Sequence, residues 1–172
     1  MDEVILVDEK DAPIGVMEKM EAHEKAVLHR AFSVFIFNDA GEMLLQQRAF
    51  TKYHSGGLWT NACCSHPKPG EETISAAKRR LQEELGFETA IKKIFDFTYK
   101  AAFDNGLTEH EFDHVFVGYY NAGITPNPEE VATTAYLSMN VILQSLKEEP
   151  AKYTAWFHIA FPKVYRWWES SH

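Results

Sequence analysis

The stretch that decides the fold is 60-TNACCSHP-67, which runs into a segment that ends 79-RRLQEELG-86. It places a thiol and an imidazole just ahead of a helix-forming segment that carries adjacent arginines and adjacent glutamates. These side chains can transfer protons, ligate a metal ion and bind phosphate. Few structural reasons would bring all of them together, so the join indicates a functional site.

The spacing of this segment resembles an altered Nudix box, G-x5-E-x7-R-E-U-x-E-E-x-G-U, where U is a bulky aliphatic residue. With the last glycine at Gly86, five further positions match, namely Glu71, Arg79, Leu81, Glu83 and Glu84. Ser65 replaces the first glycine, Arg80 replaces the glutamate after the arginine, and Phe87 takes the last apolar position. That glutamate helps to hold magnesium in Nudix hydrolases. An arginine cannot hold a cation, but its planar fork can bind phosphate.

This departure makes the chain similar to type 1 isopentenyl-diphosphate isomerases, Nudix relatives that move a double bond instead of cleaving a diphosphate. Five segments in order carry the resemblance: 18-EKMEAH-23, 28-LHRAF-32, 57-GLWTN-61 with 63-CCSHP-67, 109-EHE-111, and Trp156. It covers residues 4 to about 168. The resemblance implies a Nudix-type α/β/α sandwich with a mixed sheet, and it implies interconversion of isopentenyl diphosphate and dimethylallyl diphosphate.

The composition limits the class of protein. The chain has 172 residues, 45% apolar and 24% charged, which is typical of a globular protein with a single domain over 1–172. A net charge of −8 without a Lys/Arg run argues against nucleic acid as a partner. No apolar run reaches the roughly 20 residues that span a membrane. The only two cysteines are adjacent, which fits free thiols in the cytoplasm. The expected partner is a small molecule, and the chain is expected to be a monomer or a weak dimer.

Turn residues and apolar periodicity predict an α/β or α+β domain. The predicted strands are 4–7, 31–37, 43–48, 95–101, 112–120 and 132–137, with a turn over 11–15 and hairpins around 38–41 and 104–106. The predicted helices are 70–85, 141–148 and 161–168. Gly86 is a suitable stop for the first of these helices.

Three histidines and two glutamates are candidate ligands of a divalent transition metal. His23 and His29 converge only if the chain bends between them, and Glu109 and Glu111 share one side of an extended segment. Taken alone, a histidine is more often a surface or core residue than a ligand. The resemblance implies a site of His23, His29, His66, Glu109 and Glu111. Manganese and zinc suit its nitrogen ligands better than magnesium does.

The phosphate-binding residues are expected near the helix. Arg80 and Glu84 are four residues apart and share a helix face, although an exposed ion pair is the commoner arrangement of such residues. The resemblance implies that Glu84 holds the magnesium that accompanies the substrate diphosphate. It also implies that Arg80, Lys19, Arg48 and Lys52 bind the phosphate oxygens.

The two cysteines have different predicted roles. In an extended segment Cys63 and Cys64 point to opposite faces, and Cys64 shares a face with His66. The resemblance makes Cys64 the catalytic thiol. Cys63 is expected to be a small buried hydrophobic residue, which is the usual environment of a free cysteine. A structural zinc site is a weaker alternative, because no second Cys/His cluster of suitable spacing occurs.

The implied reaction adds a proton to the terminal alkene carbon and removes one from the carbon next to the CH2O group. It passes through a tertiary cation and needs two proton-transfer groups. Glu111, aided by Tyr99, is expected to deliver the proton and Cys64 to accept the other, although the order stays open. Trp156 either stabilises the cation with its π face or packs in the core. A nucleoside-diphosphate hydrolase and a non-catalytic Nudix-like binding module are the alternatives, and Arg80 argues against the hydrolase.

Overall fold

The central strand, β3 (His29–Phe37), is buried on both faces and separates two hydrophobic clusters. Phe32 and Val34 pack in one cluster, whereas Phe35 and Phe37 pack in the other. Side chains alternate between the faces of a strand, so a nearly continuous apolar run serves two core layers at once. The sheet is therefore covered on both sides.

The computed structural model describes residues 2–103 and 105–171. The other strands in these residues are β1 (Glu3–Val7), β2 (Pro13–Glu18), β4 (Glu42–Arg48), β5 (Trp59–Asn61), β6 (Cys63–Ser65), β7 (Ile91–Ala102), β8 (Thr108–Tyr119) and β9 (Val131–Ser138). The α-helices are α1 (Lys19–Lys25), α2 (Thr73–Leu85), α3 (Met139–Glu148) and α4 (Ala155–Ser171). A short 3-10 helix, Pro150–Lys152, precedes α4.

The strands form one mixed sheet. β3 runs parallel to β8, with His29 opposite Glu111 at one end and Phe37 opposite Tyr119 at the other. β3 also pairs antiparallel with β1 and β6, and β4 pairs antiparallel with β5 and β9. β7 pairs antiparallel with β8, and β2 pairs with β1 at the edge. The parallel register brings a histidine of β3 beside a carboxylate of β8.

Helices cover both faces of the sheet, which confirms the predicted α/β/α sandwich. α2 packs its apolar stripe, including Leu81 and Leu85, on one cluster. α3 and α4 pack on the other cluster, with Ile142 and Phe161 fully buried. α2 ends as predicted at Gly86, whose φ of 73° is the left-handed conformation that glycine adopts without strain. No helix in the described residues is long and apolar enough to cross a membrane.

The local predictions were wrong in several places. Part of the predicted turn over 11–15 belongs to β2, and α1, β5 and β6 were not predicted. β5 and β6 have three residues each, which is too short for a periodicity to emerge. In the predicted hairpin around 38–41 the two strands share a single pair, Phe37 with Met43, because each then pairs with other strands. The hairpin of β7 and β8 is confirmed, but Asp104 of its predicted tip lies outside the described residues.

Candidate active site

A cavity of about 80 Å³ brings most of the predicted site residues together. One water molecule needs roughly 10–15 Å³, so the cavity has room for a small group of atoms. The predicted residues that line it are Lys19, Arg48, Lys52, Cys64, His66, Arg80, Glu84, Tyr99, Glu109, Glu111 and Trp156. The lining also includes Ser33, Tyr53, His54, Ser65 and Glu130, to which the sequence assigned no role.

Three histidines and one glutamate form a compact group beside this cavity. His23, His29, His66 and Glu111 each present a ligand atom, and these atoms lie within 4.8 Å of one another. The predicted bend is present, because α1 ends at Ala26 in a left-handed conformation (φ 55°) and His29 begins β3. The chain thus turns the two imidazoles toward each other.

The distances and the burial of this group fit a divalent cation. Nε2 of His66 lies 2.8 Å from Oε2 of Glu111, and Nε2 of His29 lies 3.3 Å from the same oxygen. The buried Nε2 of His23 has no hydrogen-bond partner among the described residues. A buried nitrogen atom without a hydrogen-bond partner lowers the stability of the fold unless a bound group, such as a metal ion, contacts it. Imidazole nitrogens with a carboxylate suit manganese or zinc.

The electrostatics of the group favour the ligand forms of its side chains. Burial lowers the pKa of His23 to about 4, and the neighbouring imidazoles of His66 and His29 act in the same direction. Burial also lowers the pKa of His66. Burial alone would raise the pKa of Glu111, but His66 and His29 outweigh it and hold that pKa well below its usual range. Neutral imidazoles and an ionised carboxylate are the forms that bind a metal.

Glu109 lies next to this group without belonging to it. The hydroxyl of Tyr99 is 2.5 Å from Oε1 of Glu111 and 2.9 Å from Oε1 of Glu109, so it lies between the two carboxyl groups. Tyr99 is directly opposite Glu111 in the pairing of β7 with β8. Burial and the negative charge of Glu111 raise the pKa of Glu109 well above its usual range. Tyr99, whose pKa is also raised by burial and the two carboxyl groups, and Glu109 therefore hold protons at neutral pH beside the ionised Glu111.

The two cysteines point in opposite directions, as the alternation predicted. The Cys64 thiol lines the cavity and lies 3.1 Å from Oδ1 of Asn61 and 3.5 Å from Oγ of Ser33. Its removal from bulk water raises its pKa. Cys63 is fully buried, but it is more than a small hydrophobic residue, because its thiol donates to Oε2 of Glu84 at 3.2 Å. Neither cysteine belongs to the candidate metal-binding group among the described residues.

Arg80 and Glu84 form the expected pair on α2. Nη2 of Arg80 lies 3.1 Å from Oε2 of Glu84 and 3.4 Å from Oε2 of Glu130. The Lys52 ammonium is 2.5 Å from the same oxygen of Glu130. Next to the first cavity lies a larger one of about 520 Å³, which forms the mouth of the site. Its lining contains the cations Lys19, Lys52, Lys68, Arg79 and Arg80 and the acids Asp2, Glu3, Glu83 and Glu130. This mouth is suited to an anionic head group.

Trp156 is buried and lines the cavity, and a cation already stacks on it. The guanidinium carbon of Arg48 lies 5.1 Å from the centre of the Trp156 ring. His54 packs edge-on against the same indole at 5.9 Å between ring centres. Burial, followed by the charge of Arg48, lowers the pKa of His54 to about 3, so this ring is neutral. The wall is therefore aromatic and uncharged apart from Arg48.

Several side chains of the site could not be recognised in the sequence. His54 and Tyr53 lie in an irregular loop, where no periodicity indicates direction. Glu130 precedes β9 and meets Lys52 only through tertiary packing. Asp113 did carry a signal, because it follows Glu111 by two positions and so faces the same side of β8.

Comparison with known proteins places the chain among proteins of related sequence and fold. The NUDIX domain model matches residues 27–157. The chain is 52% identical to an isopentenyl-diphosphate Delta-isomerase of Pectobacterium atrosepticum, over 98% of this chain and 94% of that protein. It is 46% identical to an isopentenyl-diphosphate Delta-isomerase of Burkholderia multivorans, over 95% of this chain and 96% of that protein.

Solved structures of lower identity share the fold. The crystal structure of DR0079 from Deinococcus radiodurans matches with a TM-score of 0.72 and 19% identity, over 86% of this chain and 90% of that one. The MutT protein from Methanosarcina mazei Go1 matches with a TM-score of 0.67 and 21% identity, over 81% and 94% of the two chains. At such identities the likeness concerns the backbone arrangement alone.

Proposed function

The chain belongs to the isopentenyl-diphosphate Delta-isomerase family of Nudix proteins, and we propose how its cavity interconverts isopentenyl diphosphate and dimethylallyl diphosphate. The observation that carries the proposal is the shared cavity: Cys64 and Glu111 line the same small space, and cationic side chains line the adjoining mouth. A five-carbon chain in the cavity would lie between a thiol and an acid, while its diphosphate remains in the mouth.

The two proton transfers are assigned to opposite sides of the substrate. Glu111, with the Tyr99 hydroxyl at 2.5 Å, delivers a proton to the terminal alkene carbon. Cys64, as the thiolate, accepts a proton from the carbon next to the CH2O group, so one C–H bond forms and another breaks. Glu111 ends ionised and Cys64 protonated, the forms that their pKa shifts favour in the resting protein, so a proton returns from the thiol to Glu111 before the next forward turnover. The roles exchange in the reverse direction. Fixed positions around a bound alkene lower the barrier, and a closed cavity keeps water from the cation.

The metal is assigned to the group of three histidines and one glutamate. His23, His29, His66 and Glu111 would hold one divalent ion, manganese or zinc in preference to magnesium, with Glu109 as a further ligand or proton partner. When bound, the ion supplies positive charge that fixes Glu111 and tunes its proton affinity.

The diphosphate is assigned to the cationic mouth. Glu84 would hold the magnesium ion that accompanies the substrate, and Arg80 with Lys52 would bind phosphate oxygens. In the structure Glu130 contacts both of these cations, at 2.5 Å from Lys52 and 3.4 Å from Arg80. Lys19 lines both cavities and is assigned to the same anion. Arg48 supports this end of the cavity through its stacking on Trp156.

The cellular compartment of the enzyme is inferred from the state of its cysteines. Cys63 and Cys64 are both free, which suits a reducing compartment, and we place the protein in the cytoplasm. A monomer or weak dimer remains the expected state. Light scattering after size-exclusion chromatography measures it directly.

One incubation tests the function and excludes the hydrolase. The protein, magnesium and isopentenyl diphosphate are incubated in heavy water, and the products are followed by NMR. We expect dimethylallyl diphosphate carrying deuterium in the new methyl group, without release of phosphate. Cys64→Ala should abolish both the product and the label. Phosphate release without isomerisation would instead indicate a Nudix hydrolase, and full activity of Cys64→Ala would remove the thiol from the mechanism.

A further inference from the structure

A short chain of hydrogen bonds lies behind the Cys64 thiol. Ser33 of β3 is directly opposite Cys64 of β6 in the antiparallel pair. The Ser33 hydroxyl donates to Oδ2 of Asp113 at 2.7 Å, and its oxygen lies 3.5 Å from the Cys64 sulfur. Asp113 lies on β8, the parallel neighbour of β3. Three adjacent strands thus hold the three side chains in line.

The buried side chain of Asp113 lowers the free energy of unfolding at this position. Both Ser33 and Asp113 are 2% exposed, and Oδ1 of Asp113 has no hydrogen-bond partner among the described residues. Burying a carboxyl group with one satisfied oxygen costs free energy that an apolar side chain of similar size would avoid. Core stability therefore does not account for the residue, whereas a role at the neighbouring thiol does.

The other polar contact of the Cys64 sulfur cannot take the same role. The amide of Asn61 donates to the carbonyl oxygens of Val34 at 2.8 Å and Cys63 at 3.0 Å. These bonds fix Oδ1 of Asn61 as the atom that faces the sulfur. It accepts the Cys64 S–H at 3.1 Å, but it cannot donate to a sulfur that has lost its proton. Ser33 carries a hydroxyl that can rotate, so it can accept from the thiol or donate to the sulfur.

We propose that Ser33 and Asp113 are positioning residues for Cys64, a role that rests on the proposed proton transfer by this thiol. Asp113 anchors the Ser33 hydroxyl while the sulfur holds its proton. When the sulfur holds none, the hydroxyl turns and donates to it, and Asp113 releases the hydrogen bond. The sulfur stays at one place beside the substrate through both states, because its cross-strand neighbour is held by the sheet.

The test compares Ser33→Ala, Ser33→Thr and Asp113→Asn with wild type. Loss of the hydroxyl should lower kcat by about 10- to 100-fold with little change in KM, since a displacement near 1 Å can cost that much. Threonine keeps a hydroxyl and should restore most of the rate. Asp113→Asn should have a smaller effect in the same direction. Ser145→Ala is the matched control, because Ser145 also has a hydrogen-bonded hydroxyl, which Tyr153 contacts at 2.7 Å, but does not line the cavity.

Two readouts separate positioning from a merely structural effect. With substrate deuterated at the carbon next to the CH2O group, the isotope effect on kcat/KM should rise in Ser33→Ala, because that proton transfer becomes more rate-limiting. In the infrared spectrum of the resting protein, the S–H stretch of Cys64 should shift in Ser33→Ala and in Asp113→Asn. The S–H band of Cys63 is the internal reference, and Cys64→Ser assigns the two bands.

Each result of these experiments supports the role of Ser33 and Asp113 or contradicts it. Unchanged kcat, isotope effect and S–H band in Ser33→Ala would overturn the proposal, as would a threonine variant that folds but fails to restore the rate. If Ser33→Ala does not fold, the band and isotope effect of Asp113→Asn decide in its place. An active Cys64→Ala would refute the proposed role of the thiol itself. An inactive Cys64→Ala beside a normal Ser33→Ala would refute this inference alone.

Discussion

The two sides of β6 differ in how completely their polar atoms are paired. On the side that faces α2, the Glu84 carboxylate, which also reaches the edge of the cavity, is 5% exposed and accepts hydrogen bonds from Cys63, Gln46 and Arg80 at 3.2 Å each. On the side that faces the cavity, the buried side-chain atoms without a hydrogen-bond partner among the described residues include His23 Nε2, Arg48 Nε, Asp113 Oδ1 and Trp156 Nε1. Two adjacent cysteines point into these opposite environments.

This difference in hydrogen bonding shows which side of β6 is built for stability and which side carries the reacting groups. A paired carboxylate such as Glu84 is held in one position by its surroundings. Unpaired buried atoms lower stability, and they persist where a ligand or reaction uses them. Cys63 therefore belongs to the supporting side of the strand, and Cys64 to the reacting side.

Alanine at each cysteine should give the largest contrast. Cys64→Ala should lower kcat by about 10²- to 10⁴-fold, the usual contribution of a proton-transfer group. Cys63→Ala should lower kcat by less than about tenfold and should instead lower the free energy of unfolding by about 1–3 kcal/mol, because a buried acceptor loses its donor. Steady-state kinetics and urea unfolding measure the two effects. Equal losses of kcat in the two variants would contradict the division of roles.

Removal of one histidine should release the metal without disturbing α2. His29→Asn takes one imidazole from the group on the cavity side, and the affinity for a bound transition metal should fall by at least about 10- to 100-fold, the range that even supporting residues reach. Metal analysis after dialysis measures the bound ion. Lys68→Gln, a change in the mouth outside that group, is the control. Retention of a full equivalent of metal by His29→Asn would remove this residue from the site.

Acid should destabilise the metal-free protein through the cavity side. The pKa values of His23 and His54 are lowered from 6.5 to about 4 and about 3, so the unfolded chain binds more protons than the folded one below pH 6.5. Their stabilisation is complete above that pH and is lost as the pH falls toward 4. At pH 5 the loss is about 1–2 kcal/mol per histidine. Melting temperatures at pH 7 and pH 5 measure it, and His54→Phe should reduce the difference; an undiminished difference in that variant would contradict the assignment.

Conservative changes at Cys63 should produce the smallest effect. Cys63→Ser keeps a donor to Glu84, whereas Cys63→Val keeps the volume without a donor. Valine should raise the magnesium concentration for half-maximal activity by a few-fold, about 0.5–1.5 kcal/mol for one hydrogen bond, and serine should not. Magnesium titrations measure this shift, with binding of a substrate analogue as a second readout. Identical titrations of both variants would mean that the thiol only fills space.

The residue types of the site, and α2 among its helices and strands, could be predicted from the amino-acid sequence alone. The apolar stripe of α2 and its stop at Gly86 are local signals, as is the alternation that turns Cys63 and Cys64 apart. The spacing of the Nudix box, with Arg80 in place of a glutamate, was enough to indicate the family. Such features are readable because helix and strand periodicities depend only on neighbouring residues.

Only the tertiary structure decided which of these residues meet. The parallel register of β3 with β8 places His29 opposite Glu111, and the meeting of Ser33 with Asp113 depends on the same pair of strands. The tertiary structure also leaves Glu109 outside the group of His23, His29, His66 and Glu111 that could hold a metal ion. Pairing between strands that are distant in the chain depends on the packing of both sheet faces, and no local pattern specifies it. The types of reacting residues could therefore be predicted from the sequence, whereas their relative positions depend on the pairing of the strands.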